Sequence, residues 1–185
     1  MKTCYIGLGA NLPSETGLPD ATLAAAAARL REVGRVRARS SLYSTAPVGY
    51  ADQPRFVNAA ARLETELTPF ELLGALLLIE KSFGRNRAQS FENGPRTLDL
   101  DILLYGDYVL GGATLEIPHP RLAERAFVLV PLSEIAPELR EPRTGRTVAE
   151  LLADFTVRGD SVAQSVVHVE SNLWSEGGLR PDRIV

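Results

Sequence analysis

The stretch GPRTLDLDILLYGD, Gly94 to Asp107, limits the fold most, because it sets two carboxylates one residue apart inside an apolar run. Read as extended chain, it sends Leu98, Leu100 and Ile102 to one face and Thr97, Asp99 and Asp101 to the other. At a rise of about 3.3 Å per residue the aspartate Cα atoms lie roughly 7 Å apart, where two ionised carboxylates repel by about 2–3 kcal/mol at an effective dielectric near 20. Alternation alone fits an open, solvated strand surface. Asp is a poor strand former, however, and Leu103 and Tyr105 are expected to continue the aspartate face as large apolar residues, which puts the pair at the mouth of a cleft. There a protonated carboxyl, a nearby arginine or a divalent cation must offset the charge. Hard oxygen ligands on a rigid strand suit Mg²⁺ brought in with a phosphate substrate.

The rest of the chain has room to build such a cleft. Its 185 residues, 45% hydrophobic and 23% charged, fit one globular domain with a complete core. A net charge of −3 argues against a protein that works by gripping nucleic-acid backbone. The arginines nonetheless gather around the acidic strand, at Arg85, Arg87, Arg96, Arg121 and Arg125, as a polyanion site requires. Cys4 is the only cysteine, so neither an internal disulfide nor a cysteine metal cluster is available. The opening MKTCYIGLGANLP is too short in apolar length for a signal peptide, and no segment reaches the roughly 18 apolar residues of a membrane span. A cytoplasmic protein is expected, with neither membrane nor nucleic acid as partner.

Residues 3 to 8 read as a buried strand ending in GLGAN, which lacks the third glycine of a dinucleotide fingerprint because Leu12 stands there. Asp20 to Val33 reads as a helix stopped by Gly34, and residues 36 to 44 and 56 to 63 as strands joined by the Pro- and Gly-rich TAPVGYADQP. TPFE, Thr68 to Glu71, is a capping box that starts a helix running to Gly84. Within it Glu80 is the exception to a nearly continuous core, open to reading either as a solvated surface acid or as a functional one. YGDY reads as a hairpin turn, Ala126 to Leu132 as an apolar run, and TVAE, Thr147 to Glu150, as a cap for a short helix ending near Phe155. Helices and strands mix without regular βα alternation, and close-linked strands are antiparallel, so the class is α+β. A domain over 1–155 and a C-terminal tail over 156–185 follow. The tail contains SVAQSVVHVES, able to add an edge strand, and residues 160 to 185 are expected to be dispensable for chemistry.

No Walker loop, kinase HRD and DFG pair or G-x-S-x-G elbow is present, so phosphoryl chemistry needs other parts. GPRTLDLDILLYGD, in company with YIGLGANL, DQPRFVNAA, IEKSFGRNR and IPHPRLAERAFVLVPLSEIAPEL, resembles the 6-hydroxymethyl-7,8-dihydropterin pyrophosphokinases of folate biosynthesis over residues 1 to about 154. The resemblance implies a ferredoxin-like, mostly antiparallel sheet with helices on both faces, a three-layer α/β/α arrangement. It also implies Mg²⁺-dependent transfer of diphosphate from ATP to the pterin hydroxymethyl group, releasing AMP, with two Mg²⁺ held by Asp99 and Asp101. Arg85 and Arg96 would stabilise the transferring phosphates, while Glu80, Arg87, Ile102, His119 and Arg125 match positions on the nucleotide side. The pterin would stack between Phe56 and Phe127, with Asn58, Thr45 and Val48 at its edge. Phe56 and Asn58 share one strand face, as a flat heterocycle with a polar edge needs. Three positions depart from the family pattern. FEN, Phe91 to Asn93, stands where many relatives carry Arg-Trp before the G-P-R motif, Leu77 where Gln is frequent and Pro120 where Tyr is frequent. The loop Ala88 to Asn93 is expected to be mobile until ligand binds, with Phe91 either covering the heterocycle or simply exposed to solvent. Two other readings stand beside it: a two-metal nucleotidyltransferase built on the same acidic pair, which would release pyrophosphate, and a ligand-binding module without turnover, against which the Asp99, Asp101, Arg85 and Arg96 set argues.

Overall fold

The computed structural model describes residues 1–89, 91, 93–157 and 165–175. Its centre is an antiparallel sheet ordered β5-β1-β4-β3-β6, with β2 also paired to β4. The strands are β1 (Lys2–Ala10), β2 (Arg35–Arg39), β3 (Leu42–Thr45), β4 (Phe56–Thr65), β5 (Asp99–Tyr105) and β6 (Val166–Val169). The helices are α1 (Pro19–Arg29), α2 (Pro69–Ser82), α3 (Ala126–Ile135), α4 (Val148–Val157) and the single turn α5 (Asn172–Ser175).

Alternation in the central strands makes two apolar faces, and each recruits its own helices. Cys4, Ile6, Leu8 and Ala10 of β1 point, with Ala59, Ala61 and Leu63 of β4, into a core closed by Leu23, Ala26 and Ala27 of α1 and Leu72, Leu76 and Ile79 of α2. On the other face Tyr5, Ala60 and Leu103 meet Val128, Leu129 and Leu132 of α3 and Leu151 and Phe155 of α4. The result is the three-layer α+β arrangement. The capping box of α2 forms in both directions, Glu71 N–H donating to Thr68 and Thr68 N–H to the Glu71 carboxylate at 2.8 Å. No helix among the described residues is long and apolar enough to cross a membrane.

Three local readings change. The single strand read over 36–44 is two, β2 and β3, broken at Ser40 and Ser41. The ladder between β1 and β5 shifts at Tyr5/Ile6, pairing Ile6 with Ile102 but Tyr5 with Leu104, so β5 carries an extra residue there. Leu103 therefore stays on the aspartate face while Tyr105 swings to the α1/α2 core. YGDY does turn, with Tyr108 N–H on the Tyr105 carbonyl at 3.1 Å, but only an isolated bridge between Leu110 and Ile117 follows instead of a hairpin strand. The apolar run from Ala126 is the helix α3.

Candidate active site

Helices α3 and α4 leave one end of their sheet face uncovered, and the gap is a cleft of about 730 Å³ including its open mouth. Its floor is Gly7 and Gly9 of β1, Asp99 and Asp101 of β5 and Asn58 of β4, with Thr45 beside them and Arg125, Phe127 and Val128 overhead. Both glycines keep the floor low against close side chains. A Cβ on Gly9 would stand 2.9 Å from the Asn58 Oδ1, and one on Gly7 would stand 3.2 Å from the Leu103 side chain. Two side chains in their place would fill the floor.

Asp99 and Asp101 both reach this cleft, as strand alternation required. Arg96 Nη1 donates to Asp99 Oδ2 at 2.8 Å, and an Arg87 nitrogen lies 3.7 Å from the other oxygen. Among the described residues Asp101 has no such ion pair. Burial first, and the Asp99 carboxylate second, push its carboxyl up to about 7, against the pull of Arg125. Arg85 and Arg125 are held below the usual guanidinium range by burial, and each keeps a buried Nε without a hydrogen-bond partner among the described residues. His119 is neutral near pH 7, its pKa lowered to about 4 by burial and then by Arg125. Its Nδ1 accepts from the Arg121 amide at 3.1 Å.

Glu80 is 1% exposed, which removes the surface reading of this acid. It accepts from Arg87 Nε and Nη2 at 2.8 and 2.7 Å, and its Oε1 also takes the Leu100 amide at 2.8 Å. The α2 carboxylate thus holds both an arginine of the site and the outer edge of β5. The Ile102 side chain lies, as strand alternation requires, with Leu98 and Leu100 in the α1/α2 core, away from the aspartates. Since the Leu100 amide points off the outer edge of β5, strand alternation turns the Ile102 backbone to the same edge, and only through that backbone does Ile102 face the Glu80 side.

At the other end of the cleft Asn58 Nδ2 donates to Thr45 Oγ1 at 2.7 Å, with both residues buried, so a fixed polar edge stands beside Phe56. Val48 and Phe127 line the same end. The guanidiniums of Arg96 and Arg125 lie 5.2 and 5.4 Å from the rings of Phe56 and Phe127 respectively, so each aromatic wall carries a cation. Of the anticipated residues, Thr45, Val48, Phe56, Asn58, Arg96, Asp99, Asp101, Arg125 and Phe127 line one cleft, while Glu80, Arg85, Arg87 and His119 lie outside its lining.

Sequence reading missed the latch between the loops. Asn11 accepts from the Arg96 amide at 2.8 Å and donates to Gln53 Oε1 at 2.9 Å and to the Pro54 carbonyl at 3.0 Å. Gln53 Nε2 in turn donates to the Tyr50 and Asn93 carbonyls, both at 2.7 Å. Both side chains stood inside the quoted YIGLGANL and DQPRFVNAA segments. Asn11, polar between Ala10 and Leu12, was the available signal, and Gln53, between Asp52 and Pro54, gave none. Phe91 is 56% exposed and meets the Tyr50 ring edge-on at 5.3 Å; Ser90 and Glu92 of that loop lie outside the described residues.

Among the described residues no group of three or more His, Cys, Asp and Glu side chains converges as a cation cage. Two carboxylates on successive outward positions of one strand would nevertheless fit a Mg²⁺ that keeps waters and takes phosphate oxygens. The arginines with unfilled Nε donors fit the accompanying anion.

The family model described as 7,8-dihydro-6-hydroxymethylpterin-pyrophosphokinase matches residues 5–137. The 2-amino-4-hydroxy-6-hydroxymethyldihydropteridine pyrophosphokinase of Pseudomonas aeruginosa is 50% identical over 159 residues, 86% of this chain and 95% of that one. The enzyme of the same name from Synechocystis is 40% identical over 180 residues, 97% of this chain and 86% of that one. Among solved structures, wild-type Plasmodium falciparum HPPK-DHPS superposes with a TM-score of 0.66 at 15% identity, covering 87% of this chain. The chain spans 46% of that structure, and at this identity the likeness speaks for the fold.

Proposed function

This chain belongs to the 7,8-dihydro-6-hydroxymethylpterin-pyrophosphokinase family, and on that premise we propose that it transfers the terminal diphosphate of ATP to the hydroxymethyl oxygen of 6-hydroxymethyl-7,8-dihydropterin, yielding AMP and the pterin diphosphate for folate biosynthesis. The observation that carries the reading is the meeting, in one cleft, of the Asp99–Asp101 carboxylate pair, of Arg96 and Arg125, the latter with an Nε unpartnered among the described residues, and of two aromatic walls flanking a buried Thr45–Asn58 edge. Its partners are small molecules, and its setting is the cytoplasm.

Asp99 and Asp101 would hold two Mg²⁺. When bound, these ions neutralise the triphosphate and relieve the carboxylate repulsion. Everything else falls to the protein's own groups. Arg96 and Arg85 face the phosphates and stabilise charge on the oxygens as it redistributes, while Arg125, Arg87 and neutral His119 hold the nucleotide end. Arg87 is kept in place by Glu80, and the Ile102 backbone offers donor and acceptor to the base. Phe56 and Phe127 stack the pterin, and Thr45, Val48 and Asn58 fix its edge, so that the hydroxymethyl oxygen approaches in line. Little is left for a general base, because diphosphoryl transfer is governed by alignment and charge neutralisation.

Incubation with ATP, Mg²⁺ and the hydroxymethyl dihydropterin tests this. AMP in stoichiometry with pterin diphosphate is expected. Release of inorganic pyrophosphate instead would establish the nucleotidyltransferase, and binding without turnover the silent module.

A further inference from the structure

The strand β3 that supplies Thr45 is four residues long and meets β4 through three register pairs, Tyr43–Asn58, Ser44–Val57 and Thr45–Phe56. Its other edge is covered by β6 through four pairs, Leu42–Val169, Tyr43–His168, Ser44–Val167 and Thr45–Val166. Without the C-terminal segment, the strand holding the cleft's polar edge would be a short sheet edge, the least stable position in a sheet.

That segment is fastened at both ends. At the cleft end the exposed Arg55, one residue before Phe56, donates from Nε to Ser44 Oγ at 2.9 Å and from Nη2 to the Ser44 carbonyl at 3.1 Å. The same Nη2 reaches the Ser165 carbonyl and hydroxyl at 3.0 and 3.1 Å, so one guanidinium staples β3, the start of β4 and the entry to β6. At the far end Trp174 is 8% exposed; its indole N–H donates to the Ser40 carbonyl at 2.8 Å, and Arg39 lies over its ring at 4.5 Å. Arg39 also donates to the Trp174 carbonyl at 3.1 Å, and Ser171 to Asp20 of α1 at 2.8 Å. A tail fixed on both sides of β3 leaves that strand little freedom to shift.

Resting on the pterin reading of the cleft, we infer that Arg55 and Trp174 are positioning residues that clamp β6 onto β3 and thereby hold the Thr45–Asn58 pair in register for the heterocycle. The tail then has a job that its distance from the phosphate site conceals. It serves the affinity for pterin, not the transfer step.

Calorimetric titration of hydroxymethyl dihydropterin into full-length protein saturated with a non-hydrolysable ATP analogue and Mg²⁺ tests this in Arg55→Ala, Trp174→Ala and the milder Trp174→Phe, with analogue affinity measured separately. Arg55→Ala should weaken pterin binding about 5- to 20-fold and raise its KM alike, with kcat and analogue affinity within about twofold of the parent. Trp174→Ala should do at least as much, and Trp174→Phe should recover part of it. Because Arg55 is exposed, its variant remains folded and informative even if Trp174→Ala is not. A lowered melting temperature with unchanged pterin affinity in Arg55→Ala would make the tail merely structural and overturn the inference, as would equal losses for pterin and nucleotide. Absence of pterin binding in the parent protein would instead defeat the reading on which the inference rests.

Discussion

At the scale of single residues, the metal-free site is governed by two groups that titrate in opposite senses. Asp101, raised to about 7, is favoured protonated in the fold, so its contribution is fully present below the unfolded value near 4 and is lost as pH rises towards 7. His119, lowered to about 4, is favoured neutral, so its contribution is present above the unfolded value near 6.5 and is lost as pH falls towards 4. Each is worth roughly 2 kcal/mol once the solvent reaching the cleft is allowed for. Between pH 4 and 6.5 the two slopes oppose each other, and the metal-free protein should show a nearly flat stability profile. Asp101→Asn should expose the histidine slope, with melting temperature rising with pH, and His119→Asn the aspartate slope, with melting temperature falling. Thermal melts in chelator at four or five pH values check this; parallel profiles in all three proteins would contradict it. Activity should respond quite differently. Asp99→Asn or Asp101→Asn should lower kcat by about a hundredfold or more while leaving the protein folded, since each removes a proposed metal ligand. Full activity in either variant would sink the two-metal assignment.

At the scale of elements, Glu80 shows how α2 and β5 are joined. Its carboxylate pairs with Arg87 and also accepts the Leu100 amide, so the two contributions separate by substitution. Glu80→Gln keeps an acceptor for Leu100 but loses the charge, and should cost roughly 2 kcal/mol, moderated by the half-exposed Arg87. Glu80→Ala also strands a buried amide and should cost at least about 1 kcal/mol more. Urea denaturation without ligand measures both, and equal losses would show that the amide bond carries nothing. The sequence made α2 and α4 legible because their capping boxes are local. It hid the helical state of α3, where the apolar run AFVLVPLSEI has no sharp periodicity and Pro131 deprives the Phe127 carbonyl of its usual helical donor. The place of Tyr105 was hidden too, because one extra residue in β5 reverses the faces beyond it, and a bulge is set by the partner strand rather than by composition.

At the scale of the whole molecule, the carboxylate pair was legible because Asp99 and Asp101 belong to one strand whose period fixes their common side, and Phe56 with Asn58 for the same reason. What joins those strands was not legible, because the Asn11–Gln53 latch and the Arg55 staple connect residues 42 and 110 positions apart. The latch gives the molecule a route for communication. Arg96, expected on the phosphates, is bonded through its amide to Asn11, which holds Gln53 of the 46–55 loop, and Gln53 holds the carbonyl of Asn93 at the end of the other loop. Asn93 itself sits at φ 59 against Gly49, so the two loops also pack directly. Nucleotide that fixes Arg96 therefore fixes both loops bordering the pterin end and removes part of the ordering cost of the second substrate. Pterin should accordingly bind about 10-fold or more tightly when an ATP analogue and Mg²⁺ are already present, and by linkage pterin should tighten the analogue by the same factor. Gln53→Ala should reduce that factor several-fold while leaving analogue affinity alone nearly unchanged, because the side chain touches neither proposed phosphate arginine nor aspartate. In Phe91→Ala the factor should fall only if the ring covers the heterocycle instead of merely resting on Tyr50. Calorimetry in both orders of addition decides the matter: equal pterin affinity with and without analogue in the parent protein would refute the coupling, and undiminished coupling in Gln53→Ala would move its route away from the latch.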